Sequence, residues 1–244
     1  MIRLVLLDLD DTLLGGSMAS LWSGYFPLIG QWMSERLEMP DFMPRLLRAI
    51  DHMVSTADPA RTNLERFLSA FLDGHDRDET EIMAAFEAFY ATQYPTLAST
   101  TTRLPAARRL VMWLRAHDYA VVIATNPMFP RAAVAQRLAW AGVPADEFDY
   151  ALVTTLENMH STKPHPAYYE EILSRTGYAP EAAIMVGDDV ERDMAATHAG
   201  MHFYWIRTPE NASAAPPDAP IAGAGTLDEF TQQVCNEGWL ETVG

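Results

Sequence analysis

An α/β fold, a parallel sheet covered by helices on both faces and interrupted by an all-helical insertion, is predicted by three observations. Leu4-Val5-Leu6-Leu7 forms a short, wholly apolar run, and the next such run begins only at Ala120. From residue 101 onward apolar runs alternate with helical patterns, as strands and crossover helices do in a parallel sheet. The long interval between the first two runs carries apolar residues at three- and four-residue spacing and no alternation. With 244 residues and 49% apolar content, the chain can build one large core or a core with a smaller inserted unit.

The elements follow in order. The first strand, 4–7, is uniformly apolar, which suits burial on both faces. In the insertion, Trp22, Tyr25, Phe26, Ile29, Trp32 and Met33 mark one helical stripe, and Phe67, Ala70 and Phe71, then Phe86, Phe89 and Tyr90, mark others. These stripes are read as helix-packing core. Breaks at Pro40, Asp58-Pro59, 74–77 and Tyr94-Pro95 divide the interval into about four helices. A helix over 105–116, a strand over 120–124, a helix over 130–141 and a strand over 150–153 come next. They are followed by a helix over 166–176, a strand over 182–186, a helix through 194–198 and a strand over 202–206. Residues 209–225, rich in Pro, Ala and Gly, read as a loop, and 226–234 as a closing helix.

Charge and cysteine content narrow the function. A formal net charge of −16 opposes binding to the phosphate backbone of nucleic acid. A small anionic substrate remains compatible, because it meets local rather than distant charge. Cys235 is the single cysteine, so no intramolecular disulfide can form, and it lacks a neighbouring His or Arg that would activate it. Residues 2–7 are too few for a signal-peptide core, and no apolar run is long enough for a bilayer. A cytoplasmic protein with no membrane partner is expected, with its oligomeric state unreadable.

The chemistry lies where the strands end. Asp8-Leu9-Asp10-Asp11-Thr12 follows the first strand, and side chains two apart on an extended segment point the same way, so Asp8 and Asp10 are expected to face one site. Crowded carboxylates repel, and a hard cation such as Mg²⁺ is their natural compensation. Thr125-Asn126 follows the second strand, Lys163 stands on the loop after the third, and Gly187-Asp188-Asp189, with Asp193 further on, follows the fourth. The carboxyl edge of an open parallel sheet is where ligands bind. A nucleophilic carboxylate, a hydroxyl, a lysine and metal-binding carboxylates are the parts needed to move a phosphoryl group through an aspartyl-phosphate. Asp8 is assigned as nucleophile and Asp10 as the group that protonates the departing alkoxide and then deprotonates water. Lys163, the Thr125 hydroxyl and the Asn126 N–H are assigned to the phosphate oxygens, and Gly187 to close backbone approach beside Asp188.

These residues, in this order, resemble the haloacid dehalogenase-like hydrolase superfamily, whose pattern is Asp-x-Asp-x-Thr, then Ser or Thr, then Lys, then Gly-Asp-Asp or Gly-Asp with a later Asp. The resemblance implies a Rossmann-like core over 1–14 and 101–244 and an α-helical cap over 15–100. It implies Mg²⁺ held by Asp8, by Asp10 through its main-chain carbonyl, and by Asp188. Asp189 or Asp193 would act through metal-bound water or by orienting Lys163. A short helical turn and hairpin after the first motif would fall on Leu13-Leu14-Gly15-Gly16.

The resulting expectation is a Mg²⁺-dependent phosphohydrolase acting on a small phosphorylated metabolite. A phosphomutase shares Asp8, Asp10, Mg²⁺ and Lys163 and is the alternative. A dehalogenase needs neither metal nor Asp10, and a phospho-signalling receiver carries its acceptor on a middle strand without a large insertion. A fold kept for binding alone would not need all four motifs intact. Specificity is harder to read. Arg45, Arg48, Arg61 and Arg66 are taken as solvated helix-face charges, Met128 and Phe129 as an apolar rim or cap packing, and His165 as a loop residue.

Overall fold

A computed structural model of the chain describes residues 1–56, 58–214 and 221–243. Its main sheet contains β1 (Leu4–Leu7), β4 (Ala120–Ile123), β5 (Leu152–Val153), β6 (Ala183–Gly187), β7 (His202–Ile206) and β8 (Gly223–Gly225), in the spatial order β5-β4-β1-β6-β7-β8. Every pairing is parallel. β1 lies inside the sheet, with Leu4–Leu7 in register with 120–123 on one side and 183–186 on the other. All four of its residues are fully buried.

Alternation along the strands divides them between two layers. Val5, Leu7, Val121, Ile123, Ile184 and Val186 belong to a core shared with α5 (Pro105–Ala116), α6 (Arg131–Ala141) and α8 (Leu227–Glu237). Leu4, Leu6, Val122, Met185, Phe203 and Trp205 pack instead with Tyr168, Tyr169 and Ile172 of α7 (Pro166–Thr176) and with the 3₁₀ turn Met194–Ala199. The result is the expected three-layer α/β/α arrangement.

Four helices, α1 (Met18–Leu37), α2 (Phe42–Ser55), α3 (Asn63–Phe71) and α4 (Glu79–Thr92), and a 3₁₀ turn, Tyr94–Thr100, occupy the interval between β1 and α5. Each helix ends two or three residues before one of the expected breaks. Two short strands, β2 (Leu14–Gly15) and β3 (Thr102–Arg103), pair antiparallel where the chain leaves and re-enters the sheet layer. The hairpin expected within Leu13–Gly16 is therefore a ribbon whose second strand comes from beyond the helices. Gly16 makes this crossing possible, because its φ of +117° is a glycine conformation and a Cβ there would come 2.6 Å from the Thr100 carbonyl oxygen.

Three further elements differ from expectation. Residues 223–225 form an edge strand rather than loop; Gly-Ala-Gly has no strand propensity, but bare glycine admits the Tyr204 ring, which a Cβ on Gly223 would approach to 2.8 Å. The part of that expected loop over 215–220 lies outside the described residues. The helix expected through 194–198 is 3₁₀, and a short α9 (Trp239–Thr242) follows α8 after Gly238. α8 itself starts at a capping box made by Thr226 and Glu229.

The start of α3 is tied to the loops that lead to Lys163. The Asn63 and Leu64 N–H groups donate to the Met159 and Leu156 carbonyls at 2.7 and 2.9 Å. The fully buried Asn63 amide donates to the carbonyls of Pro127 and Ser161, at 3.3 and 3.1 Å. Arg66, 1% exposed, donates to the carbonyls of Thr56 and His160 and to the Asn63 side chain, so it is a buried tie rather than a solvated charge. Asn63→Ala should lower stability by about 1–3 kcal/mol, because it strands buried acceptors. The check is the urea midpoint at constant m-value, and an unchanged midpoint would show that these bonds contribute nothing net.

Candidate active site

Asp8 follows the last residue of β1, where its N–H still donates to the Val186 carbonyl at 2.9 Å, so sheet pairing fixes the backbone that carries it. Lys163 reaches the same point from the loop before α7, preceded by Thr162 and followed by a cis bond to Pro164. Its ammonium is 2% exposed and donates to Asp8 Oδ1 at 2.8 Å and Asp193 Oδ1 at 2.5 Å. Asp8, Asp188 and Asp193 each bring a carboxylate oxygen within 4.8 Å of the others. Gly187 permits this approach, since a Cβ there would overlap the Asp193 side chain.

The electrostatics follow from crowding. Burial first, and then Asp193 and Asp10, raise the Asp8 carboxyl to about 7 despite the attraction of Lys163. Burial and the charges of Asp8 and Asp193 raise Asp188 to about 9. Burial alone would lower Lys163, but Asp193 and Asp8 more than offset it and hold the ammonium well above the ordinary lysine range. The site thus has a firmly protonated lysine and more carboxylates than one lysine can neutralise once they lose their protons. Three clustered carboxylates are hard oxygen donors short of positive charge, which is a donor set suited to Mg²⁺.

The remaining sequence-predicted residues are distributed unevenly. Thr125 is 2% exposed and lines the cleft; its carbonyl accepts from Thr154 Oγ1 at 2.7 Å and from the Tyr168 hydroxyl at 3.0 Å. The Asn126 side chain accepts from the Lys163 N–H at 3.2 Å and so holds the lysine loop. Asp189 lines the cleft but is not one of the three clustered carboxylates: its oxygens accept from the N–H groups of Glu191 and Arg192 and from the Arg192 guanidinium, each at 2.9 Å. Of Asp189 and Asp193, it is Asp193 that contacts Lys163, and it also accepts from the Asp189 N–H at 3.1 Å.

Asp10 differs most from expectation. Its carboxylate Oδ2 is paired with Arg137, which is fully buried on α6 with its guanidinium 4.4 Å from the Phe129 ring centroid. The carboxylate of Asp10 is therefore engaged by an arginine rather than gathered with Asp8, Asp188 and Asp193. Burial disfavours the charge on Arg137, but Asp10 raises its pKa above the ordinary arginine value. Sequence reasoning missed Arg137. A signal existed: it falls on the face of α6 formed by Ala133, Val134, Leu138 and Ala141, and a cation on an otherwise apolar helix face needs a buried partner.

Asp188 has support that was also missed. Thr12 Oγ1 donates to its Oδ1 at 3.4 Å, while Trp205 Nε1 and Asn211 Nδ2 each donate to its carbonyl at 3.0 Å. Asp11 belongs to the helix start rather than the cluster: its Oδ2 accepts from the Met18 N–H at 2.8 Å, beside the first turn of α1. The cleft over these groups has a volume of about 560 Å³. Trp22 and Phe26 of the aromatic stripe line it, as do Met128 and Phe129. Arg45, Arg48, Arg61 and Arg66 do not.

A lysine and a set of carboxylates are gathered at the carboxyl edge of a parallel sheet, which is the ligand-binding edge of an open α/β protein. The family description "haloacid dehalogenase-like hydrolase" matches residues 2–200, and the chain belongs to that family. It is 23% identical over 199 residues to the pyrophosphatase PpaX of Bacillus cereus strain AH820, covering 82% of this chain and 80% of that protein. Among solved structures it is similar to a HAD phosphatase from Thermococcus onnurineus, with TM-score 0.57 and 20% identity over 97% of this chain and 98% of that one. A 2-haloacid dehalogenase from Pseudomonas syringae pv. Tomato DC3000 gives TM-score 0.62 and 23% identity over 96% and 98%. At these identities the solved structures show the fold alone. The chain is a hydrolase of this family. No helix among the described residues is long and apolar enough to cross a membrane.

Proposed function

We propose that the protein is a Mg²⁺-dependent phosphohydrolase that cleaves a small phosphate monoester through an aspartyl-phosphate on Asp8. The observation that carries this reading is Lys163 bridging Asp8 and Asp193 beside Asp188. Asp8 and Asp188, with the main-chain carbonyl of Asp10, would hold the metal. When bound, Mg²⁺ supplies the positive charge that lets a carboxylate approach an anionic phosphoryl group.

The chain's own residues do the rest. Asp8 attacks phosphorus, the bond to the ester oxygen breaks, and the departing alkoxide takes a proton from Asp10. Asp10 then accepts a proton from the water that attacks the aspartyl-phosphate, releasing phosphate and restoring Asp8. Arg137 is a positioning residue: it engages Oδ2 of Asp10 and leaves the other oxygen for the proton. Lys163 adds charge on the equatorial oxygens, and Asp193 orients it. The Thr125 hydroxyl and the Asn126 N–H supply further donors. A dehalogenase has no use for a second carboxylate, so a buried arginine dedicated to Asp10 favours phosphoryl chemistry. Residues 15–100 act as a cap over the cleft and exclude water during the reaction.

Phosphate release from a panel of small phosphate esters, with Mg²⁺ and with chelator, tests the reading. Release is expected on at least some esters, falling at least 100-fold on chelation. Release unaffected by chelation would remove the metal from the proposal, and release from none would remove the activity.

A further inference from the structure

The walls of the cleft carry information about the leaving group. Every residue that the helices α1 and α2 contribute to it is apolar: Met18, Trp22, Phe26, Leu47 and Ile50. Met128 and Phe129 join them in the lining. Trp22 stacks on Phe129 and on Phe26, with ring centroids 5.0 Å apart and interplanar angles of 21° and 14°, so this side is a built aromatic wall. The floor, by contrast, holds six aspartates, and the two cations that line the cleft are already paired, Lys163 with Asp8 and Asp193 and Arg192 with Asp189. A phosphate seated on Asp8 would satisfy the floor. Its leaving group would then meet hydrocarbon, with no unpaired cation among the described residues that line this cleft to receive a second negative charge.

The apolar lining also continues. Ile50 and Met128 line a second cavity of about 480 Å³, whose wall includes Leu46, Phe67 and Phe86 and also Glu87, Glu157 and Arg131, two acids to one base. Ile50 and Met128 are thus shared between the cleft over the carboxylates and a chamber whose charged residues are mainly acidic.

We propose that the substrate is a phosphate monoester of an uncharged, hydrocarbon-rich alcohol, whose chain lies along Trp22, Phe26 and Phe129 and passes Ile50 and Met128 into the second cavity. This inference rests on the phosphohydrolase reading. In the reaction the phosphorus–oxygen bond breaks and the alkoxide leaves as a neutral alcohol after taking the Asp10 proton. Pyrophosphate, the substrate class in the name of the PpaX relative, has an anionic leaving group and does not fit this wall.

Two measurements separate the inference from the reading it rests on. Binding of non-hydrolysable n-alkylphosphonates, from ethyl to dodecyl, is followed by calorimetry with Mg²⁺ present. Affinity should rise about fourfold per added methylene until the chain fills the lining. A carboxylate at the far end of the chain should remove most of that gain. Affinity independent of chain length, or stronger for the carboxylate-ended series, would overturn the inference whether or not the protein turns over any ester. Phosphate release from the matching alkyl phosphates tests the reading itself, and preferred hydrolysis of pyrophosphate over them would again overturn the inference while leaving the phosphohydrolase standing. Leu47→Arg, at a position 50% exposed and so tolerant of change, should shift relative affinity toward the carboxylate-ended phosphonates by tenfold or more; an unchanged ratio would count against Leu47 and its neighbours as the leaving-group wall.

Discussion

Asp8→Asn should abolish Mg²⁺-dependent phosphate release, by on the order of 10⁶-fold, the scale of loss when a covalent nucleophile is removed. The amide cannot attack phosphorus, and no other carboxylate takes its place: Asp193 is held by Lys163 and the Asp189 N–H, and Asp10 by Arg137. The fold should survive, because the backbone of Asp8 is set by its bond to the Val186 carbonyl and Lys163 keeps its contact with Asp193. The substitution also removes one negative charge from a crowded, buried set. Metal-free variant at pH 8 should therefore melt no lower than the wild type. Both quantities are read on one fresh preparation, since deamidation of Asn would restore Asp8. Near wild-type turnover would sink the nucleophile assignment, whereas a large fall in melting temperature would assign the loss to misfolding.

Much of this site is legible in the sequence because chemistry constrains residue type at strand ends. Asp8, Thr125, Lys163 and Asp188 each follow a recognisable apolar run, and a parallel sheet brings such ends together whatever the intervening chain does. Three features are hidden for physical reasons. The partner of Asp10 is Arg137, far along the chain, and only its misplaced charge on the buried face of α6 hints at a pairing that depends on tertiary packing. Trp22 and Phe26 lie on the same amphipathic stripe as Tyr25 and Ile29, and helical spacing alone cannot separate a residue that lines a cleft from one that fills a core. The parallel edge strand at 223–225 is held by main-chain bonds to β7 and by space for the Tyr204 ring, so side-chain propensity carries no trace of it. The same limit applies to Arg66, whose acceptors are carbonyls of Thr56 and His160 that folding alone brings within reach.

Adding Mg²⁺ should stabilise the protein, and the gain should grow with pH. Burial and mutual repulsion raise the carboxyls of Asp8 and Asp188 from an ordinary 3.8 to about 7 and about 9. A group raised in this way contributes stability that is fully present below its unfolded value and lost as pH rises through its folded value. Metal-free protein should therefore lose stability between about pH 4 and about pH 9 as these carboxylates charge without a counter-ion. Mg²⁺ binds the deprotonated form and releases those protons, so its affinity rises through the same interval. At a concentration 100 times its dissociation constant it should contribute about 2.7 kcal/mol, which for a chain of this size is a rise of about 5–10 °C in melting temperature. Thermal melts at pH 5 and pH 8, with Mg²⁺ and with chelator, measure the difference. The shift should be small at pH 5, where protons already neutralise the cluster, and large at pH 8. A shift of equal size at both would mean that the metal binds away from Asp8 and Asp188, and a larger shift at pH 5 would reverse the sign on which the electrostatic account of this site depends.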